Sequence, residues 1–171
     1  MLITRSWAMP NKNTFSIKPI GDLIHRYLDG VSIDPFANQS KLATYTNDLD
    51  ESYDTTHNMD AVEFIKTFDD GSIDVVLFDP PYSPRQVSEV YKSLDLSVNM
   101  ETTQSSFWSK CKHQIARVTK PNGYSITCGW NSGGIGKTNG FEIVEILLVA
   151  HGGWHNDTIV TVEQKQKTLF D

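Results

Sequence analysis

The stretch that most constrains the fold is "SIDVVLFD", residues 72–79, a near-continuous apolar run that ends in an acid. A strand with one face in water alternates apolar and polar residues, whereas a parallel strand covered on both faces is apolar throughout. The run is typical of such a central strand. Helices must then cover both faces of its sheet, so the sequence favours an α/β fold.

Segments with helical and strand patterns alternate along the rest of the chain. Helical spacing predicts helices at residues 17–30, 59–68, 83–95 and 105–118. Apolar and β-branched stretches predict strands at residues 31–34, 42–48, 123–130, 141–150 and 158–165. The last two strands are separated by "HGGWHND", which predicts an antiparallel pair joined by a hairpin tip. We therefore expect a mostly parallel sheet with a C-terminal antiparallel strand pair.

Length and composition limit the class of protein. The chain has 171 residues, which suits a single domain over residues 1–171, and a formal charge of −6 argues against one broad phosphate-binding face. Cys111 and Cys128 are too few for a disulfide framework or a cysteine-rich zinc site, so we expect reduced thiols. No apolar run approaches the roughly 20 residues that cross a bilayer. The N-terminus also lacks a signal-peptide core, so we expect a cytoplasmic protein without a membrane partner.

Three predicted strands end close to an acid: Asp34, Asp48 and Asp79. In open α/β sheets, ligands bind beyond the carboxyl ends of the strands. These carboxyl ends meet along one edge of the sheet. The three carboxylates are therefore predicted to cluster there.

The segment Asp79-Pro80-Pro81-Tyr82 is the candidate catalytic site. The two prolines fix φ and remove two backbone donors, which leaves rigidly held carbonyl acceptors beside the Asp79 carboxylate. Tyr82 adds a flat ring. Two acceptors beside a stacking face suit a planar ligand with an exocyclic amino group, because each N–H of that group finds a partner.

The "DPPY" sequence after an apolar strand resembles the catalytic motif of the amino-group methyltransferases that modify adenine N6 in nucleic acid. The resemblance implies a single Rossmann-like domain dependent on S-adenosylmethionine, with DNA as partner and the target base flipped out of the duplex. It covers most of the chain and is closest to the small enzymes of bacteriophages and prophages, which work in the bacterial cytoplasm. Such a chain has no separate target-recognition domain and requires no metal.

Other segments follow the order of cofactor motifs in that family. "SIDPFAN" resembles the first motif, "YTNDLD" the second, "HNMDAVEFI" the third, and "NTFSIKPI" the N-terminal one. The resemblance implies contact with the methionine portion, the ribose and the adenine of S-adenosylmethionine by the following residues: Phe15, Asp34, Pro35, Phe36, Ala37, Asn38, Asn47, Asp48, Asp60, Ala61 and Asp79.

The first cofactor motif departs from the family pattern, which has glycines where this chain has Ala37 and Asn38. Asparagine tolerates left-handed φ better than most residues, so we expect the turn to form. "NQSK" leaves little room for a helix between the first two predicted strands. Either the crossover is reduced or a strand boundary is misplaced.

Several alternatives remain open from the sequence. The acceptor can be adenine in RNA or cytosine N4, and the chain can be a catalytically weak binding subunit. Target recognition is either short or supplied by a second copy or partner subunit. "TRSWAMPNKN" and "NSGGIGKTNG" are the candidates for touching nucleic acid.

Two motif-like stretches are rejected. "NSGGIGKT" has Asn131 where a phosphate-binding loop needs glycine, and a strand follows it instead of a helix. "HGGWHND" has glycines between its two histidines, which favours a hairpin tip over a metal site. Trp154 in this tip is predicted either to stack on an extruded base or to pack at the turn.

Overall fold

The structure is a computed structural model that describes residues 1–81 and 105–167. Its strands are, in chain order, β1 Leu2–Trp7, β2 Ser32–Asp34, β3 Tyr45–Thr46, β4 Ile73–Phe78, β5 Thr119–Gly129, β6 Phe141–Ala150 and β7 Thr158–Lys165. Its α-helices are α1 Lys18–Tyr27, α2 Ala61–Lys66 and α3 Ser105–Val118. Short 3-10 helices lie at Thr14–Ser16 and Lys137–Asn139. Tyr82 and the helix expected at 83–95 lie outside the described residues.

The strands form one sheet in the order β1-β6-β7-β5-β4-β2-β3. Every strand pairing in it is parallel except the two that β7 makes with β5 and β6. The predicted fold class is therefore confirmed, with β4 in the interior between β2 and β5. Because β2, β3, β4 and β5 run in the same direction, their carboxyl ends share one edge, here named the carboxyl edge.

The connection from β2 to β3 contains no helix, although parallel crossovers usually need a dozen or more residues. Turns and bends occupy residues 35–44 instead. Ser32 and Thr44 bind each other reciprocally: Thr44 N donates to Ser32 Oγ (3.0 Å), and Ser32 N donates to Thr44 Oγ1 (3.1 Å). Both explanations for the short "NQSK" segment apply: the crossover contains no helix, and β3 begins at Tyr45 instead of at residue 42 as predicted.

The sequence did not predict β1. It pairs in parallel with β6, from Leu2 opposite Glu145 to Trp7 opposite Ala150. Leu2, Ile3 and Trp7 are exposed, so the strand lacks the apolar pattern of a core strand. Backbone pairing at the edge of a sheet needs no such pattern, which explains the omission.

Two apolar cores lie on opposite faces of the sheet, and β4 contributes to both. Val75 and Leu77 belong to the core under α1, whereas Val76 and Phe78 belong to the core under α2 and α3. None of these four side chains is more than 1% exposed. The predicted burial of this strand on both faces is confirmed.

Two smaller expectations have structural counterparts. Cys111 and Cys128 are both free and buried, one in each core. Within residues 1–81 and 105–167, no helix has the length and apolar character required to cross a membrane.

Candidate active site at the end of β4

The end of β4 separates two cavities. Neighbouring residues of an extended segment face opposite sides of the sheet. Asp79 therefore faces the same side as Leu77, and Pro80 faces the same side as Phe78. Asp79 is half-buried and lines a cavity of about 310 Å³, the small cavity. Pro80 is buried and lines a cavity of about 740 Å³, the large cavity. Neighbouring residues of the predicted catalytic motif therefore border both cavities.

The small cavity collects most of the residues predicted for the first cofactor motif. Its lining includes Phe15, Phe36, Ala37, Asn38 and Asp79. The structure thus brings together residues from the N-terminal 3-10 helix, the turn after β2 and the end of β4. In the sequence, only the order of individually weak motifs indicated that these three segments belong together.

The turn after β2 forms without glycine. Asn38 has a φ of 49°, the left-handed conformation that asparagine was expected to tolerate. Asp48 Oδ2 accepts a hydrogen bond from Asn38 N (2.9 Å), and Asp34 Oδ1 accepts one from Phe36 N (3.1 Å). Two acids that follow neighbouring strands therefore support the turn.

Asp34, Asp48 and Asp79 cluster at the carboxyl edge, as predicted. Asp34 is fully buried, and its Oδ2 has no hydrogen-bond partner among the described residues. Burial raises the pKa of Asp34 well above the usual range, and the nearby carboxylates of Asp79 and Asp48 raise it further. Burial also raises the pKa of Asp48. A cationic ligand beside this cluster would favour the ionised form of these carboxyl groups.

Asn47 acts as a clamp among three segments. It is fully buried; its Nδ2 donates to Pro35 O (3.1 Å) and Met59 O (3.0 Å), and its Oδ1 accepts from Met59 N (3.1 Å). Pro35 is buried as well. Asn47 therefore positions the turn after β2, and any effect on a ligand passes through the segments that it holds.

Asp60 and Ala61 lie elsewhere than the small cavity. Asp60 caps α2, since its Oδ1 accepts hydrogen bonds from Val62 N (2.9 Å) and Glu63 N (3.2 Å). It lines a third cavity of about 590 Å³ between α2 and α3, and Ala61 is buried. Their predicted contact with the adenine of the cofactor stays a prediction.

Helix α3 holds the catalytic motif from the side of the large cavity. Trp108 lines this cavity, and its Nε1 donates to Pro81 O (3.1 Å). One carbonyl of the predicted acceptor row is thus occupied by the protein itself. The predicted binding of an amino group by the Asp79 carboxylate and the Pro80 carbonyl stays a prediction. The sequence did not single out Trp108, because an apolar helix position gives no sign of a remote carbonyl.

Glu163 explains why the glycine-rich loop after β5 does not form a nucleotide-binding loop. This buried β7 residue accepts hydrogen bonds from Ile135 N and from Gly136 N (2.9 Å) through its two carboxylate oxygens. Gly134 has a φ of 48°, and a Cβ there would overlap the Glu163 carboxylate. The loop N–H groups are directed at an internal anion, so the rejection of a nucleotide-binding loop has a structural reason. The sequence signal that we missed is an acid within the strand "TIVTVEQK".

The segment "HGGWHND" is a hairpin tip between β6 and β7, as predicted. His151 is buried, with hydrogen bonds to Ala8 O (2.8 Å) and Thr158 Oγ1 (2.8 Å). Trp154 is fully exposed, so it does not pack at the turn. In the part of the chain that the structure describes, no three His, Cys, Asp or Glu side chains are placed so that they could hold a metal ion together.

Comparison with solved structures identifies the fold. A SAM-dependent methyltransferase from Methanosarcina mazei superposes with a TM-score of 0.57, over 85% of this chain and 98% of that chain. The chain has the class I methyltransferase fold. The 1,6-didemethyltoxoflavin-N1-methyltransferase of Burkholderia thailandensis, with bound S-adenosylhomocysteine, gives a TM-score of 0.58 over 88% of this chain and 78% of its own.

The likeness extends to the fold and no further. TrmN from Thermus thermophilus matches with a TM-score of 0.57 over 87% of this chain and 49% of that chain. Sequence identities to these three structures are 11%, 12% and 17%. No protein-family model matches the sequence, and no curated protein matches it significantly. The substrate must therefore be argued from the site itself.

Proposed function

We propose that this protein transfers a methyl group from S-adenosylmethionine to the N6 amino group of adenine in DNA. The observation that carries the proposal is the position of Asp79 and Pro80 between two cavities. A group transfer needs its donor and acceptor on either side of the reacting atoms. The end of β4 provides that arrangement with a motif that resembles the one used for adenine N6.

The small cavity fits the donor. S-adenosylmethionine carries a sulfonium and an ammonium group. Asp79, which lines the cavity, would face these charges, and a cation there would favour ionisation of the buried Asp34, whose Oδ2 has no hydrogen-bond partner among the described residues. Phe15 and Phe36 provide apolar surface beside it. When bound, the cofactor supplies the methyl group, and the residues of this cavity would hold and orient it.

The large cavity fits the acceptor. The base is extruded from the duplex, because its amino group is otherwise engaged in pairing. Asp79 and the Pro80 carbonyl would accept the two N6 hydrogens and direct the nitrogen toward the small cavity. Tyr82, outside the described residues, would stack on the ring. The rate then comes from positioning, with no covalent intermediate and no metal.

A labelled-methyl transfer assay on duplex DNA, single-stranded DNA and RNA tests this function. We expect incorporation into duplex DNA as N6-methyladenine, and loss of at least about a thousandfold in rate for Asp79→Ala, because both positioning and charge are removed. Equal incorporation by Asp79→Ala would disprove the mechanism. Label in RNA, or on cytosine N4, would instead select one of the alternative acceptors.

A catalytically weak binding subunit is the alternative, supported by the absence of glycine at positions 37 and 38. Calorimetric titration with S-adenosylmethionine separates an active enzyme from a binding subunit, since a pure scaffold shows no heat of binding.

We also propose that a second copy or a partner subunit contributes to target recognition. A methyl-transfer rate that rises more than linearly with protein concentration would support the contribution of a second copy.

A further inference from the structure

The loop after β5 depends on a single buried side chain. Glu163 is 1% exposed, and both of its carboxylate oxygens accept hydrogen bonds from loop N–H groups, those of Ile135 and Gly136. Gly134 approaches the carboxylate closely because it has no side chain. Glycine-rich segments lose much conformational entropy on ordering, so such a loop needs anchors of this kind to keep one shape.

The same loop forms a wall of the large cavity. Asn131, residues 133–136, Thr138 and Asn139 all line it, facing Pro80 and Trp108. The shape of this cavity therefore follows the position of the loop. Without the Glu163 carboxylate, the buried N–H of Ile135 and the partly buried N–H of Gly136 lose their acceptor, and movement of the loop is the way to satisfy them.

Helix α3 is electrostatically linked to the same carboxylate. Burial raises the pKa of Glu163, while the hydrogen bonds from Ile135 N and Gly136 N and the positive charge of Lys112 lower it by less. Lys112 also lines the large cavity. Residues from β7, α3 and the loop thus meet at one anion on the border of the cavity.

We propose that Glu163 is a positioning residue of the acceptor site: it holds the loop after β5 so that the large cavity is formed before the base arrives. This inference rests on the proposed function. Glu163 lies behind the loop and does not touch the reacting atoms. Its loss should weaken acceptor binding while donor binding and the transfer step are preserved.

The experiment compares Glu163→Ala and Glu163→Gln with Glu145→Gln. Glu145 is a matched control, since it is also a buried acid of the sheet, 3% exposed, but it binds Arg26 and Tyr27 under α1, on the face that carries the other core. Steady-state methyl transfer gives KM and kcat for DNA, and calorimetry gives the Kd of S-adenosylmethionine. Amide hydrogen exchange reports on Ile135 and Gly136.

For Glu163→Ala we expect KM to rise about tenfold, with kcat within about threefold and the cofactor Kd unchanged. Glu163→Gln should show a smaller rise in KM, because its amide oxygen can still accept one of the two bonds. Exchange at Ile135 and Gly136 should accelerate in both variants. Glu145→Gln should lower thermal stability and leave KM within about twofold of the wild-type value.

The inference is overturned if Glu163→Ala and Glu145→Gln shift KM alike, or if Glu163→Ala changes kcat and cofactor Kd as much as KM. The proposed function has a separate failure, which is a wild-type protein that transfers no methyl group. In that case, the Kd of an adenine-containing oligonucleotide, measured at equilibrium, is compared between the variants instead of KM. Binding unaffected by Glu163→Ala would then overturn the inference by itself.

Discussion

The turn after β2, residues 35–38, and the loop after β5, residues 131–136, leave the same edge of the sheet. In each, backbone N–H groups donate to a carboxylate from another part of the sheet. The turn after β2 reaches φ 49° with an asparagine, whereas the loop after β5 uses glycine at φ 48°. The difference lies in the distance of approach, because a Cβ at Gly134 overlaps the carboxylate.

This difference teaches when glycine is required. A left-handed φ alone costs an asparagine little, and an acid that binds its N–H group offsets part of that cost. A backbone that must lie directly against a carboxylate has no room for any side chain. The turn after β2 thus forms with an asparagine at its left-handed position, whereas the close approach to Glu163 leaves no room for a Cβ at Gly134.

Gly134→Ala is expected to give the largest effect. The added methyl group overlaps the Glu163 carboxylate, and the alanine must also adopt a left-handed φ. We therefore expect a loss of about 3 kcal/mol in the free energy of unfolding. Urea denaturation measures it. In the double variant Gly134→Ala/Glu163→Ala the overlap disappears, and the combined loss should be smaller than the sum of the two single losses. Strict additivity would show that the overlap is not the cause.

Asn38→Ala should cost about 1 kcal/mol of unfolding free energy, the penalty of a left-handed φ for a residue with a plain Cβ. Asn38→Gly should be within about 0.5 kcal/mol of the wild-type protein, since glycine adopts this φ without strain. Denaturation of the three proteins side by side checks the order. An alanine variant as stable as the glycine variant would contradict the account of this turn.

Asp34→Asn should change the pH dependence of the free energy of unfolding more than the magnitude of that free energy. Because burial raises the pKa of Asp34 above its ordinary 3.8, the folded protein retains a proton that the unfolded chain releases. Stability from this group is complete below about pH 4 and is lost as pH rises toward the folded-state pKa. Asparagine cannot ionise, so the variant should lose less stability between pH 4 and pH 8. Asp29→Asn, at an exposed site, is the control, and equal slopes for both variants would refute the prediction.

Much of the fold was predictable because it depends on local patterns. The apolar run of β4, the alternating elements and the C-terminal strand pair all have periodicities that read directly from the sequence. β1 was not predictable, since an exposed edge strand is held by backbone pairing with β6 alone. The connection between β2 and β3 was ambiguous because it contains no crossover helix. Reciprocal hydrogen bonds between Ser32 and Thr44 join its two ends instead.

The site was predictable only in part. Asp79 and its prolines could be singled out as candidates because the chemistry predicted for them depends on consecutive residues. Trp108 and Glu163 could not, because each acts on a segment distant in sequence, Pro81 or the loop at 131–136. Long-range hydrogen bonds of this kind leave no periodic signal along the chain.

The hydrogen bond from Trp108 to Pro81 has a further consequence. Its two residues are 27 positions apart in the sequence, so it couples the start of α3 directly to the backbone just after β4. A substitution of Trp108 would therefore act on the candidate catalytic motif through the Pro81 carbonyl, without any change in the motif itself.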